Sequence, residues 1–308
     1  MRVSLLFFSL VLCLFGCGST RDTSSWFADN GKTKVLCTTG MIHDIVARVG
    51  QDKIDSHALI VGEIDPHSYE LVKGDDDKIA FAQLVFGNGL NLEHGASLRY
   101  LLAEHPHVVN LGDEIQNKVP QKILKVSGEV DPHVWMDVSL WAEGIDAIVL
   151  ALSKEDPASS AFYEQNGALL RQEMLSEHSL LQKAMRLVPD EKRYLVTSHD
   201  AFHYFARAYL AQGEGWEARC VAPEGLAPEG QLSSQDINRV AQHLTQYEIG
   251  VVFPESNMSQ DALKKVISCC SHKVRCSDKP LYGDAIGPGD YLDMIRHNVE
   301  TLKDEWSQ

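Results

Sequence analysis

Short apolar runs alternate with stretches of helical period along most of the chain. Residues 34–38 read as a strand, 41–49 as an amphipathic helix and 54–61 as a second strand. A short strand at 84–86 runs into the turn Gly87-Asn88-Gly89, and a helix over 93–104 and a strand over 108–111 follow. Strands alternating with helices predict a parallel sheet covered on both faces. The rhythm then breaks. Residues 137–152 have helical periodicity, and Pro157 suits a first helical turn. From 158 to 187 Gly167 is the sole glycine and there is no proline, while apolar residues recur at Phe162, Leu169, Leu170, Met174, Leu180, Leu181 and Met185. This predicts one helix of about 30 residues, roughly 45 Å long, stopped by Pro189. Beyond it, strands are expected at 194–197, 218–221 and 250–253, with helices at 201–210, 236–246, 260–268 and 291–302. The fold class expected is α/β: two lobes with mainly parallel sheets joined by one long rigid backbone helix. The N-terminal lobe spans 33–155, the linking helix 156–188 and the C-terminal lobe 189–308.

The N-terminus changes the compartment. Arg2 precedes an apolar run over 5–15 that is too short to cross a bilayer as a helix. The run ends in Leu14-Phe15-Gly16-Cys17, which reads as a secretory signal over residues 1–16 closing on a lipobox-like cysteine. Residues 17–32 are a polar tether. The expectation is a periplasmic or cell-surface protein, lipid-anchored through Cys17. The formal net charge of -15 over 308 residues disfavours binding nucleic acid or anionic lipid through charge, and suits a protein that meets cations. Once Cys13 leaves with the signal and Cys17 carries lipid, Cys37, Cys220, Cys269, Cys270 and Cys276 remain. An odd number leaves at least one thiol unpaired within the chain, and the spacing does not decide the pairing. The paired Cys-x-x-Cys spacing of a four-cysteine zinc site is missing.

Candidate chemistry lies in histidines. Asp-Pro-His occurs twice, as Asp65-Pro66-His67-Ser68-Tyr69 and Asp131-Pro132-His133-Val134-Trp135. Proline fixes its own backbone and biases the residue before it toward extended geometry, so each histidine sits on a stiff loop with an aromatic two residues on. His199 follows the strand at 194–197, and Asp284 lies in Leu281-Tyr282-Gly283-Asp284. In open α/β sheets, ligands sit beyond the carboxyl ends of strands. Three imidazoles and a carboxylate, two from each lobe, would hold one divalent transition metal ion between the lobes. The equal spacing of 67, 133 and 199 is coincidence, because the residues flanking His199 do not match the other two. A competing reading uses His199 and His203, at i and i+4 in His199-Asp200-Ala201-Phe202-His203, as a zinc-dependent hydrolase pair. Asp in place of Glu reaches less far as a general base, and His199 follows a strand directly. No Gly-x-Ser-x-Gly, phosphate-binding loop or catalytic Cys-His context is present.

These segments resemble the cluster A-I metal-binding solute-binding proteins, the TroA/ZnuA/PsaA-like family of ABC importers. The resemblance rests on both Asp-Pro-His runs, Gly87-Asn88-Gly89-Leu90-Asn91-Leu92-Glu93, Thr197-Ser198-His199-Asp200-Ala201-Phe202 and Ala227-Pro228-Glu229. It implies a non-enzymatic, monomeric protein with two α/β lobes joined by a rigid helix. It implies ligands at His67, His133, His199 and Asp284, cargo of zinc, manganese or iron, and an ABC permease with its ATPase as partners. Manganese-type members usually carry Glu where His199 stands. Dedicated zinc members carry a His-rich acidic loop between the first two ligands, and residues 113–130 contain no His. The surface adhesin lipoprotein is a further alternative compatible with a lipid anchor.

Overall fold

The computed structural model describes residues 26–213, 215–228 and 232–307; the expected signal peptide, Cys17 and Glu229 lie outside them. In chain order the elements are β1 (Thr33–Cys37), α1 (Gly40–Gly50), β2 (Ile54–Ala58), α2 (Asp75–Phe81), β3 (Leu84–Gly87), α3 (Ala96–Glu104), β4 (Val108–Asn110), α4 (Leu111–Lys118), β5 (Lys125–Val126), β6 (Glu129–Val130), α5 (Val138–Trp141), α6 (Ile145–Glu155) and α7 (Ser160–Met185). The second half adds β7 (Leu195–Val196), α8 (His203–Phe205), β8 (Cys220–Val221), α9 (Ser234–Gln246), β9 (Val251–Val252), α10 (Asp261–Ser268), β10 (Arg275–Cys276) and α11 (Tyr291–Trp306).

The central strands are apolar on both faces because both faces are covered. In β1, Val35 and Cys37 enter one core while Leu36 enters another, with Trp26, Leu59 and Ile60. In β3, Leu84 and Phe86 join the first core and Val85 the second, the period-2 alternation of a strand. The four-stranded sheet runs β2-β1-β3-β4, all parallel, with Val35 paired to Leu84 and Cys37 to Phe86. In the second half, β7 pairs with β8 and β9 with β10, again parallel. The N–H of Phe253 donates to Val196 O at 2.8 Å and joins the two pairs.

The long helix α7 has 26 residues and is about 40 Å long. It begins two residues after the expected 158, because Pro157–Ser159 form a 3-10 turn, and it ends at Met185. Tyr163, Gly167, Leu170, Met174, Leu181 and Met185 make its buried stripe. It is strapped to both halves. Asn166 Nδ2 donates to Val49 O at 3.0 Å and Arg48 pairs with Glu173 on the first side. Arg296 Nε reaches Glu177 Oε1 at 2.7 Å and Gln182 Nε2 donates to Ala208 O at 3.0 Å on the second.

Several expected elements differ. The strand at 54–61 stops at Ala58, and Gly62, with φ of 81°, turns the chain into the loop that carries His67. The helix at 93–104 begins at Ala96, because the Glu93 carboxylate is used as a loop clamp, described below. The helix at 137–152 divides into α5, the 3-10 turn Ala142–Gly144 and α6. The helix at 201–210 is α8 followed by a π turn over Ala206–Leu210, with Ala211 N–H donating to Ala206 O at 2.9 Å. Helices α2 and α4 and the antiparallel β5–β6 hairpin were not anticipated. Cys37, Cys220, Cys269, Cys270 and Cys276 are free thiols, Cys37 and Cys220 buried.

Candidate metal centre

Each Asp-Pro-His run folds the same way locally. Asp65 Oδ1 accepts the N–H of His67 at 2.8 Å, and Asp131 Oδ1 accepts that of His133 at 3.0 Å. These side-chain-to-backbone bonds, with the intervening proline, stiffen both loops. Only the second aspartate also reaches its imidazole. Asp131 Oδ1 lies 2.7 Å from His133 Nδ1, and Asp131 Oδ2 lies 3.2 Å from His203 Nδ1. A carboxylate at Nδ1 fixes the tautomer and leaves the lone pair on Nε2.

His199 leaves the carboxyl end of β7, and Glu255 leaves that of β9. Glu255 Oε1 accepts the His199 N–H at 2.9 Å, while Oε2 lies 2.8 Å from His199 Nδ1. Asp284 is set by its neighbours. Asn298 of α11 accepts the N–H of Tyr282 at 2.9 Å and donates to Tyr282 O at 2.8 Å. Trp135 Nε1 donates to Gly283 O at 2.9 Å. A Cβ at residue 283 would sit 2.4 Å from Glu255 Oε2, so a larger residue there would displace that carboxylate.

The structure brings His67, His133, His199 and Asp284 together, with one ligand atom of each within 4.8 Å of all the others. His67 Nε2 and His133 Nε2 are 3.2 Å apart; Asp284 lies 3.5 Å from each and 3.1 Å from His199 Nε2. The edges of a tetrahedron with bonds of about 2.1 Å are roughly 3.4 Å, so these separations suit one transition metal ion. All four side chains are buried, and the Asp284 carboxylate faces the three imidazoles. A buried carboxylate is costly unless cationic or hydrogen-bonding groups meet it, and a metal ion held by the same imidazoles would do so.

The electrostatics divide the set. Burial pulls His133 below the ordinary imidazole range even beside Asp131. Burial also opposes charge on His199, but Glu255 and then Asp284 outweigh it and hold its proton affinity well above the ordinary value. Burial would raise Asp284, yet His199 and then His67 hold it well below the usual carboxylate range. Asp131, buried but flanked by His133 and His203, is held down to about 2.

His203 is not among the converging groups; its Nδ1 faces Asp131, so the His199/His203 hydrolase pair finds no support. Sequence reasoning missed Glu255 and the imidazole contact of Asp131. The position of Glu255, just past the strand at 250–253 in the second half, was the available signal.

Parallel strands in both halves, a strapped connecting helix and a buried three-imidazole, one-carboxylate cluster are the arrangement of a metal-binding α/β protein. The chain belongs to the family of the periplasmic component A of the zinc-uptake complex, matched over residues 35–305. It is 40% identical to the metal-binding protein YtgA of Chlamydia pneumoniae over 304 residues, covering 96% of this chain and 93% of that one. It is 30% identical to the zinc-binding protein TroA of Treponema pallidum, covering 89% of each. The crystal structure of Fe(III)-bound YtgA from Chlamydia trachomatis superposes with a TM-score of 0.86 at 40% identity, covering 89% of this chain and 98% of that one.

Proposed function

We propose that the protein captures one transition metal ion outside the cytoplasm through His67, His133, His199 and Asp284 and delivers it to an ABC permease for ATP-driven import. The observation that carries this reading is the convergence of four buried ligand groups, with the imidazoles of His133 and His199 each backed by a carboxylate. Zinc, manganese and iron all suit three nitrogen donors and one oxygen. The YtgA crystal with Fe(III), the zinc-binding name of TroA and the manganese-binding name of MntA of Bacillus subtilis support that range. The protein acts as a carrier, not an enzyme, and as a monomer. One lobe runs over 33–155 and the other over 189–308, with 156–188 as the link, and the stiffness of α7 limits closure to small movements. The leader over 1–16 is removed and Cys17 carries the lipid that holds the protein at the membrane surface. Relatives named as metal ABC transporter substrate-binding lipoproteins, such as FimA of Streptococcus parasanguinis, support that placement.

The test is metal analysis of the protein purified from its own cell envelope, beside its His199→Ala variant. Near-stoichiometric metal that is lost in the variant supports the site and names the cargo. Metal content unaffected by the variant refutes the ligand set.

A further inference from the structure

His133 comes from the first half of the chain, but the aspartate that aims it is gripped by the second. Asp131 is fully buried, and its Oδ1 serves His133 twice, taking the backbone N–H at 3.0 Å and lying 2.7 Å from ring Nδ1. The torsion of a terminal carboxylate is soft, so rotation about it would carry that oxygen off the ring. Oδ2 is where the rotation is stopped. Its partner among the described residues is His203, whose Nδ1 lies 3.2 Å away. An imidazole nitrogen facing a carboxylate is the protonated one, so Nδ1 donates.

The same short helix, α8, also holds the main chain of Asp131. The Tyr204 hydroxyl donates to Asp131 O and accepts the Leu124 N–H, both at 3.0 Å, and the Asp131 N–H donates to Leu124 O at 3.0 Å. His203 is itself buried, with the Trp216 ring 5.7 Å from its own, centroid to centroid, and its Nε2 3.8 Å from Asp200 Oδ1. The first Asp-Pro-His run is built differently. Asp65 is half-buried, and its Oδ2 takes the Ser68 hydroxyl at 2.6 Å from within its own loop. Because α8 begins four residues after His199, one segment of the second half both supplies a metal-site histidine and steadies another from the first half.

We propose that His203 is a positioning residue for metal binding, which acts through Asp131 to fix the aim of His133 Nε2. It stands outside the four converging groups and does not touch the metal. The role requires a hydrogen-bond donor at this place and not bulk, since a side chain that fills the space without donating leaves Asp131 Oδ2 unheld. The proposal rests on the reading of His133 as a ligand.

The experiment compares metal-free full-length wild type with His203→Asn and His203→Leu. Asparagine and leucine have nearly the same shape, but only asparagine offers an N–H donor close to where imidazole Nδ1 stood. Zinc affinity, measured by chelator competition, should fall about 10-fold in His203→Leu and return to within about threefold of wild type in His203→Asn. Cobalt(II) bound in place of zinc should give a visible ligand-field spectrum that is altered in His203→Leu and restored in His203→Asn. Wild-type affinity in a His203→Leu variant that melts like wild type overturns the proposal. Equal losses in the two variants also overturn it, because they mark a packing role. Should His203→Leu not fold, His203→Asn decides alone, and a loss there of about 10-fold or more overturns the proposal. A His133→Ala variant that keeps wild-type affinity would instead remove the reading of His133 as a ligand.

Discussion

Glu255→Gln keeps the shape of the side chain and removes its charge. The carboxylate serves His199 twice, taking the backbone N–H at 2.9 Å and facing ring Nδ1 at 2.8 Å, and both side chains are fully buried. Glutamine has one carbonyl oxygen for these two donors. If that oxygen faces the ring, the amide NH₂ meets the backbone N–H, and a buried unsatisfied donor costs about 1–3 kcal/mol. If it faces the backbone, the NH₂ group drives the ring to the other tautomer, and Nε2 then bears a proton and cannot take metal. Either outcome weakens metal binding, by the 10–100-fold typical of an orienting partner or roughly 1.4–2.7 kcal/mol. The assay is zinc competition against a chromophoric chelator, with thermal melting of the metal-free protein in parallel. Affinity within twofold of wild type would refute the argument that Glu255 sets the tautomer and aim of His199.

His67→Ala and His133→Ala each remove one of the converging nitrogens and should abolish tight zinc binding while the metal-free protein stays folded; calorimetric titration that still gives wild-type affinity would remove that residue from the ligand set. Trp135→Phe deletes the 2.9 Å bond to Gly283 O beside Asp284 and leaves a buried carbonyl unpaired. Urea denaturation should show a loss of about 2–3 kcal/mol, and chelator competition a weaker site. Asp44 is pushed up from 3.8 to about 6, by burial first and then by Asp290. Its folded form holds a proton more tightly than its unfolded form, so its penalty is missing below the unfolded value, grows as pH rises through about 6 and is constant above. Asp44→Asn should therefore stabilise the metal-free protein by about 2–3 kcal/mol at pH 8 and hardly at all near pH 4, as measured by urea denaturation at both; an equal gain at both would contradict the assignment.

Much of this protein was legible along the chain because its central strands and long helix are governed by local pattern. Apolar runs such as 84–86 and the glycine-poor stretch after Pro157 have few alternatives as structure. The two Asp-Pro-His runs announced themselves because proline and a side-chain acceptor act within three residues. The boundaries that failed did so where tertiary contacts overruled local preference. Glu93 would extend a helix by propensity, yet it is drawn out to bind the N–H groups of Asn88 and Gly89. Residues 206–210 read as ordinary helix and became a π turn.

The sequence by itself determined the two-lobed α/β pattern, the stiff connecting helix and the chemical identity of the candidate ligands. Only the tertiary structure decided which groups meet and in what protonation. His203 lies four residues from His199 yet serves Asp131, while Asp284, 85 residues from His199, lies 3.1 Å from it. Glu255, read as nothing in particular, holds His199 because β7 and β9 end side by side. Ligand type is a property of single residues and is written locally. Convergence, burial and tautomer are properties of loops that the sheets bring together from distant parts of the chain, and only the folded packing specifies them.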